Sequence, residues 1–588
     1  MCGIVGYVGT NNVPNREYFA LDVVLEGLRR LEYRGYDSAG VAMLEGGKIN
    51  FRKKAGKVAG LDEEIARDPL PDSVVGIGHT RWATHGAPTD ANAHPHVVDG
   101  GKLAVVHNGI IENFAELKTE LAAKGYTFAS ETDTEVAATL LGDIMNGEGN
   151  GDLTESMRLT CNRLEGAFTL LALHVDFPDR IVAARRNSPL VIGLGEGENF
   201  LGSDVSGFID YTKNAVEMAN DQIVTITAND YSIIDFDGNE ATGKPFKVEW
   251  DAAAAEKGGF SSFMEKEIHD QPAAVRDTLM GRFDENGKLT LDELHIDESI
   301  LRSIDKIIVI ACGTAAYAGL VARYAIEHWC RIPTEVELAH EFRYRDPIVN
   351  EKTLVVALSQ SGETMDTLMA VRHAREQGAK VIAICNTHGS SIPRESDASL
   401  YTHAGPEIAV ASTKAFLAQI AAVYLLGLYL AQLRGNMFAD EVNATLEELR
   451  KIPDKIQKVI DNEELAYLHA EGFAAGELKH GPIALVEEGQ PVFIIVPSPA
   501  GRESLHSKVV SNIQEVRARG AITIVIAEEG DEAVTQFANH VIRVPQSPTL
   551  MQPLLATVPL QLFAATVAEC KGYDVDQPRN LAKSVTVE

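Results

Sequence analysis

From about residue 300 the chain repeats one pattern: a short β-branched, apolar run, a turn, and a helical stretch. DKIIVIACGT leads into AAYAGLVARYAIEHW, TLVVALSQSGET leads into MDTLMAVRHAREQG, and KVIAICNT follows. Such runs, each followed by a helix, predict a parallel sheet wound with helices. Parallel neighbours need a crossover between them, and the helices bury both sheet faces. An all-helical stretch over 412–470 interrupts the pattern, which resumes as PVFIIVPS, a helix near Ser504–Arg519, and AITIVIAEE. The region therefore reads as two copies of one α/β unit. The copies do not match. The first shows three strand–turn units before its long helices and the second only two, and nothing before Gln490 reads as an opening strand.

The preceding 245 residues follow another rhythm. Many short β runs with turns between them, among them CGIVGYVG, AGVAML, KLAVVHNG, AFTLLALHV and QIVTITAND, are interrupted by helical stretches near Glu17–Leu31 and Asp133–Met145. Strand runs with few helices predict α+β layers of antiparallel sheets between helices. The polar, small-residue-rich stretch after them marks a linker. The expected division is 2–245, a linker 246–290, a first α/β unit 291–450, a second unit 451–575 truncated at its start, and a tail 576–588.

Lys+Arg total 53 against 84 Asp+Glu, a formal charge of −31 over 588 residues. A surface that acidic repels phosphate backbones and anionic lipids, so no nucleic-acid or membrane partner is expected. The six cysteines include no CxxC pair, which speaks against a zinc ribbon and fits a reducing cytoplasm. No signal peptide is read at the N-terminus. Ala415–Leu433 is uncharged and nearly long enough to span a bilayer, but it stands alone and reads as a buried core helix.

Chemistry concentrates first at the N-terminus. Removal of Met1 would leave Cys2 with a thiol and a free α-amine, a nucleophile carrying its own base. It is followed, in order, by YRGYDSAG (33–40), HTRWATHG (79–86), HNGIIEN (107–113) and SETDTE (130–135). The histidines at 79, 85, 94, 96 and 107 invite a metal reading. No cysteine or carboxylate cluster completes a zinc set, so structural histidines and no metal are expected. In the second half SQSGETMDT (359–367) ends an apolar strand and opens a helix. Its hydroxyls, Gly362 and the free N–H groups of the helix N-terminus suit a phosphate, although no GxxxxGK[ST] motif occurs. ACGTAAYAG (311–319) and PEIAVASTKAF (406–416) can converge with it outside the carboxyl ends of the strands.

Together the N-terminal motifs resemble the glutaminase domain of class II glutamine amidotransferases, and the later ones resemble phosphosugar-binding sugar isomerase (SIS) domains. With AEGFAAGELKHGP (470–482) and the terminal DQPRNLAKSVTVE (576–588) added, almost the whole chain resembles the glucosamine-6-phosphate synthase family. That resemblance implies an N-terminal-nucleophile hydrolase sandwich (αββα) followed by α/β parallel-sheet SIS units, the second lacking its opening strand and helix. It implies transfer of ammonia from glutamine to fructose 6-phosphate and isomerisation to glucosamine 6-phosphate, without a cofactor, in a cytoplasmic homodimer.

The implied roles follow residue by residue. Cys2 attacks the glutamine amide while the Asn108 side chain and the Gly109 N–H hold the oxyanion. Arg81 and Asp133 anchor the glutamine carboxylate and ammonium, Thr84 and His85 lie on the same loop, and Trp82 gates the passage between sites. Ser359, Gln360, Ser361 and Thr364 hold the phosphate and adjacent hydroxyls, with Thr314, Val410 and Ser412 about the sugar. Lys583 forms a Schiff base with C2 of the open-chain sugar. His480, supplied by the neighbouring subunit, opens the ring, and Glu464 moves the C1–C2 proton.

The chain departs from the family pattern in two places. Position 315 is Ala where many relatives have Ser. Before Glu464 the family carries a strand, a glycine turn and most of a helix, whereas here KIQKVIDN runs straight into EELAYLHAE, with Asp461 where a lysine is expected. The alternative reading is a glutaminase-competent variant whose synthase half is impaired by that gap.

Overall fold

The computed structural model describes residues 2–10, 18–248, 256–282, 288–461, 474–475, 477–480, 482–500, 503–578, 581 and 583. In the N-terminal part, eight strands form one sheet. Its centre is Gly3–Gly9, hydrogen-bonded antiparallel to Val75–Arg81 on one side and Glu198–Gly202 on the other. Seven strands form a second sheet around Leu103–Ile111, Gly166–His174 and Arg180–Arg186. Three cores explain the layering. Ile4, Ile77, Val106 and Leu171 interdigitate between the sheets. Val5, Val24 and Leu28 pack helix Ala20–Leu31 outside the first. Val105, Leu141 and Met157 pack helices Asp133–Asn146 and Leu153–Cys161 outside the second. The result is the αββα sandwich of the N-terminal-nucleophile type. Of the two expected helices, Glu17–Leu31 begins later, as Ala20–Leu31, and Asp133–Met145 begins where expected, as Asp133–Asn146; Val58–Arg67, Phe114–Ala123 and Leu153–Cys161 are additional.

The first SIS unit is a five-stranded, all-parallel sheet in the order Thr334–Leu338, Lys306–Ala311, Thr353–Ser359, Lys380–Cys385, Ala398–Tyr401. Its two edge strands are short and were not read from sequence. Helix Lys414–Arg434 is buried along most of its length and packs on helix Gly313–Cys330, with Trp329 edge-on to Tyr424 at 5.4 Å. By length and composition alone this helix and Thr549–Cys570 could cross a membrane, but the most apolar windows are 89% and 56% buried inside the protein.

The second SIS unit has three parallel strands among the described residues, Pro491–Ile495, Ile522–Glu528 and His540–Val544. Counterparts of Lys306–Ala311 and Thr334–Leu338 are not among them. Residues 462–473, where the later of the two falls in sequence, lie outside the described residues.

Candidate active site

The N-terminal candidate site grows out of the central strands. Gly3 pairs with Thr80, and this register sets Cys2 beside Arg81 and Trp82. The Trp82 N–H donates to Cys2 Sγ at 3.1 Å. Burial raises the Cys2 thiol above its ordinary value, opposed by that N–H and by Arg81, so the thiol keeps its proton until a base takes it. From the facing sheet, Asn108 Nδ2 donates to the Cys2 carbonyl at 2.9 Å, and Asn108 Oδ1 lies 2.9 Å from His79 Nε2. Gly109 has φ +124°, and a Cβ there would fall 1.9 Å from the Ala167 carbonyl oxygen, so the backbone N–H after Asn108 is presented as only glycine allows.

Asp133 opens helix Asp133–Asn146, capped by the Thr132 side chain. Its carboxylate accepts the Ile111 N–H at 2.9 Å. Arg81 is buried and donates to the carbonyls of His85 and Gly86. The site is thus assembled from Cys2, Arg81, Trp82, Asn108, Gly109 and Asp133, with Thr84 exposed and His85 half-buried against Phe114. Beneath it His79, His94, His96 and His107 are buried together, with the His79 and His94 ring centroids 4.2 Å apart. Burial pushes all four below the ordinary histidine range, His79 to about 3. Among the described residues no cluster of histidine, cysteine or carboxylate side chains is arranged to hold a metal.

The SQSGET turn joins strand Thr353–Ser359 to helix Met365–Glu376. The Ser359 hydroxyl accepts the Gly362 N–H at 3.0 Å and lies 3.3 Å from Thr364 Oγ1. Gly362 has φ +67°, and a Cβ would fall 1.9 Å from Ser390 Oγ. Gln360 and Ser361 line a cavity of about 1020 Å³ whose opposite wall includes Arg34, Asp204 and Ser206 of the glutaminase part. Thr314 is exposed on the first turn of helix Gly313–Cys330, while Val410 is buried and Ser412 half-buried.

Lys583 is nearly fully buried, its Nζ 2.6 Å from Glu407 Oε2 and 2.6 Å from the Ala409 carbonyl. Burial pushes the Glu407 carboxyl up, but Lys583 and the Thr413 and Ala415 N–H groups outweigh it and hold Glu407 below the usual carboxylate range. The partner of Lys583 was missed in the sequence although it lies in the quoted motif PEIAVASTKAF. A polar residue inside a motif looks like any other until the chain closes around it.

Two further anchors were also missed. Asp576 accepts the first-turn N–H groups of Phe263 and Met264 at 2.9 and 2.8 Å, and Tyr36, edge-on to Trp82, hydrogen-bonds the Pro578 and Leu581 carbonyls. The tail carrying Lys583 is therefore tied to the linker and to the glutaminase part together. Glu464 lies outside the described residues. His480 ends the short 3-10 turn Glu477–His480.

A glutamine amidotransferase domain family matches residues 79–209, and the SIS domain family matches 300–429 and 461–568. The glutamine–fructose-6-phosphate aminotransferase (isomerizing) of Corynebacterium diphtheriae is 79% identical over 625 residues, covering all of both chains. The alignment is 37 positions longer than the 588 residues here. The protein of the same name from Streptomyces coelicolor is 60% identical over 624 residues, again covering both chains completely. Among solved structures, the C-terminal domain of glucosamine-fructose-6-phosphate aminotransferase from Francisella tularensis is 35% identical, with a TM-score of 0.49, over 55% of this chain and 100% of that one. Identity of this order along the whole chain settles its kinship: it belongs to the family of glutamine–fructose-6-phosphate aminotransferases (isomerizing).

Proposed function

We propose that this chain releases ammonia from glutamine at Cys2 and adds it to fructose 6-phosphate at Lys583, giving glucosamine 6-phosphate and glutamate. The observation that carries the reading is the presence in one chain of two separate nucleophile sites. One is a half-buried thiol beside an amide donor; the other is a buried lysine paired with a carboxylate.

At the first site the Cys2 sulfur adds to the side-chain amide carbonyl of glutamine, and the negative charge that develops on oxygen is met by Asn108 Nδ2 and the Gly109 N–H. The C–N bond breaks, ammonia leaves with the proton taken from the thiol, and water hydrolyses the thioester to glutamate. Arg81 and Asp133 hold the substrate's two charged ends, Arg81 exchanging its loop carbonyls for the carboxylate. Thr84, His85 and Trp82 complete the glutamine loop.

At the second site the Lys583 amine adds to C2 of the open-chain ketose and water leaves. Ammonia then displaces the lysine as an imine at C2; the C1 proton moves to C2 and the C1 hydroxyl proton to the nitrogen, giving an aldehyde at C1 and an amine at C2. Glu407 holds Lys583 in place, and the lysine reacts as its neutral amine. Glu464 carries the C1–C2 transfer and His480 opens the ring. Ser359, Gln360, Ser361 and Thr364 hold the phosphate, with Thr314, Val410 and Ser412 about the sugar. The His480 role calls for a second subunit, so the working form is a homodimer, and a metabolic amidotransferase of this kind works in the cytoplasm.

The test is to measure glutamate and glucosamine 6-phosphate on one preparation, with the mass of the assembly measured alongside. Neither product forming from glutamine and fructose 6-phosphate would overturn the reading.

A further inference from the structure

One of the four buried histidines touches the glutamine chemistry directly. His79 lies on strand Val75–Arg81, on the face that carries Val75 and Ile77 into the inter-sheet core, and is fully buried. Its Nε2 is 2.9 Å from Asn108 Oδ1. At the other end of that amide, Nδ2 donates to the Cys2 carbonyl at 2.9 Å. A carbonyl oxygen only accepts, so the amide nitrogen faces Cys2 and the amide oxygen faces His79. The imidazole therefore donates, and its proton sits on Nε2. The other ring nitrogen agrees: Nδ1 is buried without a hydrogen-bond partner, a state that a bare nitrogen tolerates better than a buried N–H. A doubly protonated ring would leave such an N–H orphaned.

An asparagine amide has no intrinsic preference for which end faces a substrate, yet only its nitrogen stabilises an oxyanion; its oxygen in the same place would repel it. We propose that His79 is a positioning residue for glutamine hydrolysis: by donating to Asn108 Oδ1 it keeps Nδ2 turned toward Cys2, one N–H on the Cys2 carbonyl and the other for the oxyanion. This rests on the reading of Asn108 as an oxyanion donor, and the test separates the two.

Three variants of His79 differ in what they offer Asn108. His79→Leu has no donor. His79→Gln carries an N–H near the position of Nε2, and His79→Asn carries one near Nδ1, too short to reach. Glutamate release gives kcat and KM. Alkylation of Cys2 by iodoacetamide, in which the sulfur displaces iodide from a saturated carbon and no oxyanion forms, reports whether the nucleophile is intact.

Loss of one oxyanion donor costs about 10²–10³ in kcat. An amide held by the Cys2 carbonyl alone should cost less, about ten- to hundredfold for His79→Leu and His79→Asn, with KM and alkylation within about threefold of wild type. His79→Gln should recover to within about threefold. In the Asn108→Ala background, where there is no amide to orient, His79→Leu should add nothing further.

Alkylation falling in step with kcat, or a full His79→Leu loss on top of Asn108→Ala, overturns the positioning role. If His79→Leu does not fold, His79→Gln no better than His79→Asn overturns it instead. Asn108→Ala retaining kcat within about tenfold overturns the oxyanion reading, and the inference with it.

Discussion

The two SIS units set the same strand–turn–helix pattern in different surroundings. In the first, Thr353–Ser359 lies between two hydrogen-bonded neighbours and every residue is buried. In the second, Pro491–Ile495 occupies the corresponding place before a turn and a helix, but it is an edge strand among the described residues. Its residues are half-buried, with Ile495 49% exposed. A short apolar run makes a strand in both places, TLVVALS in the first and PVFII in the second. Whether that strand is core or edge depends on neighbours supplied from elsewhere in the chain. An apolar edge is a liability because its N–H and C=O groups are open to pairing with another chain. The second unit is not free-standing, however. Helix Gln552–Cys570 runs into the first unit's core through Leu554, Leu555 and Val558, and Phe563 packs on Phe493 at 4.6 Å.

The largest expected effect asks whether the difference stays confined to the second unit. Cys2 sits in the other half of the chain, so Cys2→Ala should lower glutamine hydrolysis by about four orders of magnitude or more. Borohydride trapping of fructose 6-phosphate on the C-terminal peptide should be unchanged. Hydrolysis remaining within about tenfold of wild type, some 1.4 kcal/mol in barrier, would show that the nucleophile lies elsewhere.

Next in size is the lysine, whose seat belongs to the intact unit. Lys583 Nζ is held by Glu407 and the Ala409 carbonyl, both of the first unit. Trapping should therefore succeed in this chain whatever the state of the second sheet. Lys583→Arg keeps the charge, but the guanidinium does not deprotonate and cannot form the imine. It should lose the trapped adduct and all glucosamine 6-phosphate while leaving glutamate release unchanged. An adduct on another peptide in wild type would reassign the role.

The comparison itself predicts an imbalance between the two half-reactions. If the short second unit leaves Glu464 or His480 misplaced by an ångström, synthesis falls about a hundredfold relative to hydrolysis. Inserting a strand–turn–helix segment of family type before Glu464 should then restore coupling. Glutamate and glucosamine 6-phosphate appearing in equal amounts from the chain as it stands would show the segment to be dispensable.

The sequence was legible where local pattern and burial agree. Lys306–Ala311, Thr353–Ser359 and Lys380–Cys385 are largely apolar runs with several β-branched residues, and the structure makes them the three interior strands of a parallel sheet. Thr334–Leu338 was missed because TEVEL alternates with charge, as an edge strand with one wet side does. His540–Val544 carries Arg543 and was missed for the same reason. At the candidate site, the fold brings together Cys2, Asn108, Gly109 and Asp133, which their motifs single out in the sequence. Glu407 and Asp576 become visible only when strands distant in sequence bring Lys583 and helix Phe263–His269 to them. The histidines at 79, 94, 96 and 107 were read as structural on the grounds of missing metal partners. Their ring contacts and the His79–Asn108 bond depend on the facing of two sheets, which sequence spacing does not encode.

The smallest effect gives the sharpest form of the comparison, because it substitutes equivalent positions in the two sheets. Aligning SQSGET with SPAGRE sets Val356 against Ile495. Val356 is fully buried and faces neighbours on both sides, so Val356→Ala removes buried methyls and leaves a hole, costing about 2 kcal/mol. Ile495 is the larger side chain, and size alone would make Ile495→Ala the costlier change. With half of it in water, the loss should instead be about 1 kcal/mol or less. A chain of several domains does not unfold in one step, so the readout is local: hydrogen exchange of the amides in each strand, converted to opening free energies. In the unsubstituted chain, Pro491–Ile495 and helix Glu503–Arg517 should exchange about a hundredfold faster than Thr353–Ser359 and helix Met365–Glu376, because fewer buried contacts must break to open them. Equal protection in the two sheets, together with a larger cost at Ile495 than at Val356, would mean that the edge strand is covered in solution, and the contrast between the units would then belong to the isolated chain alone.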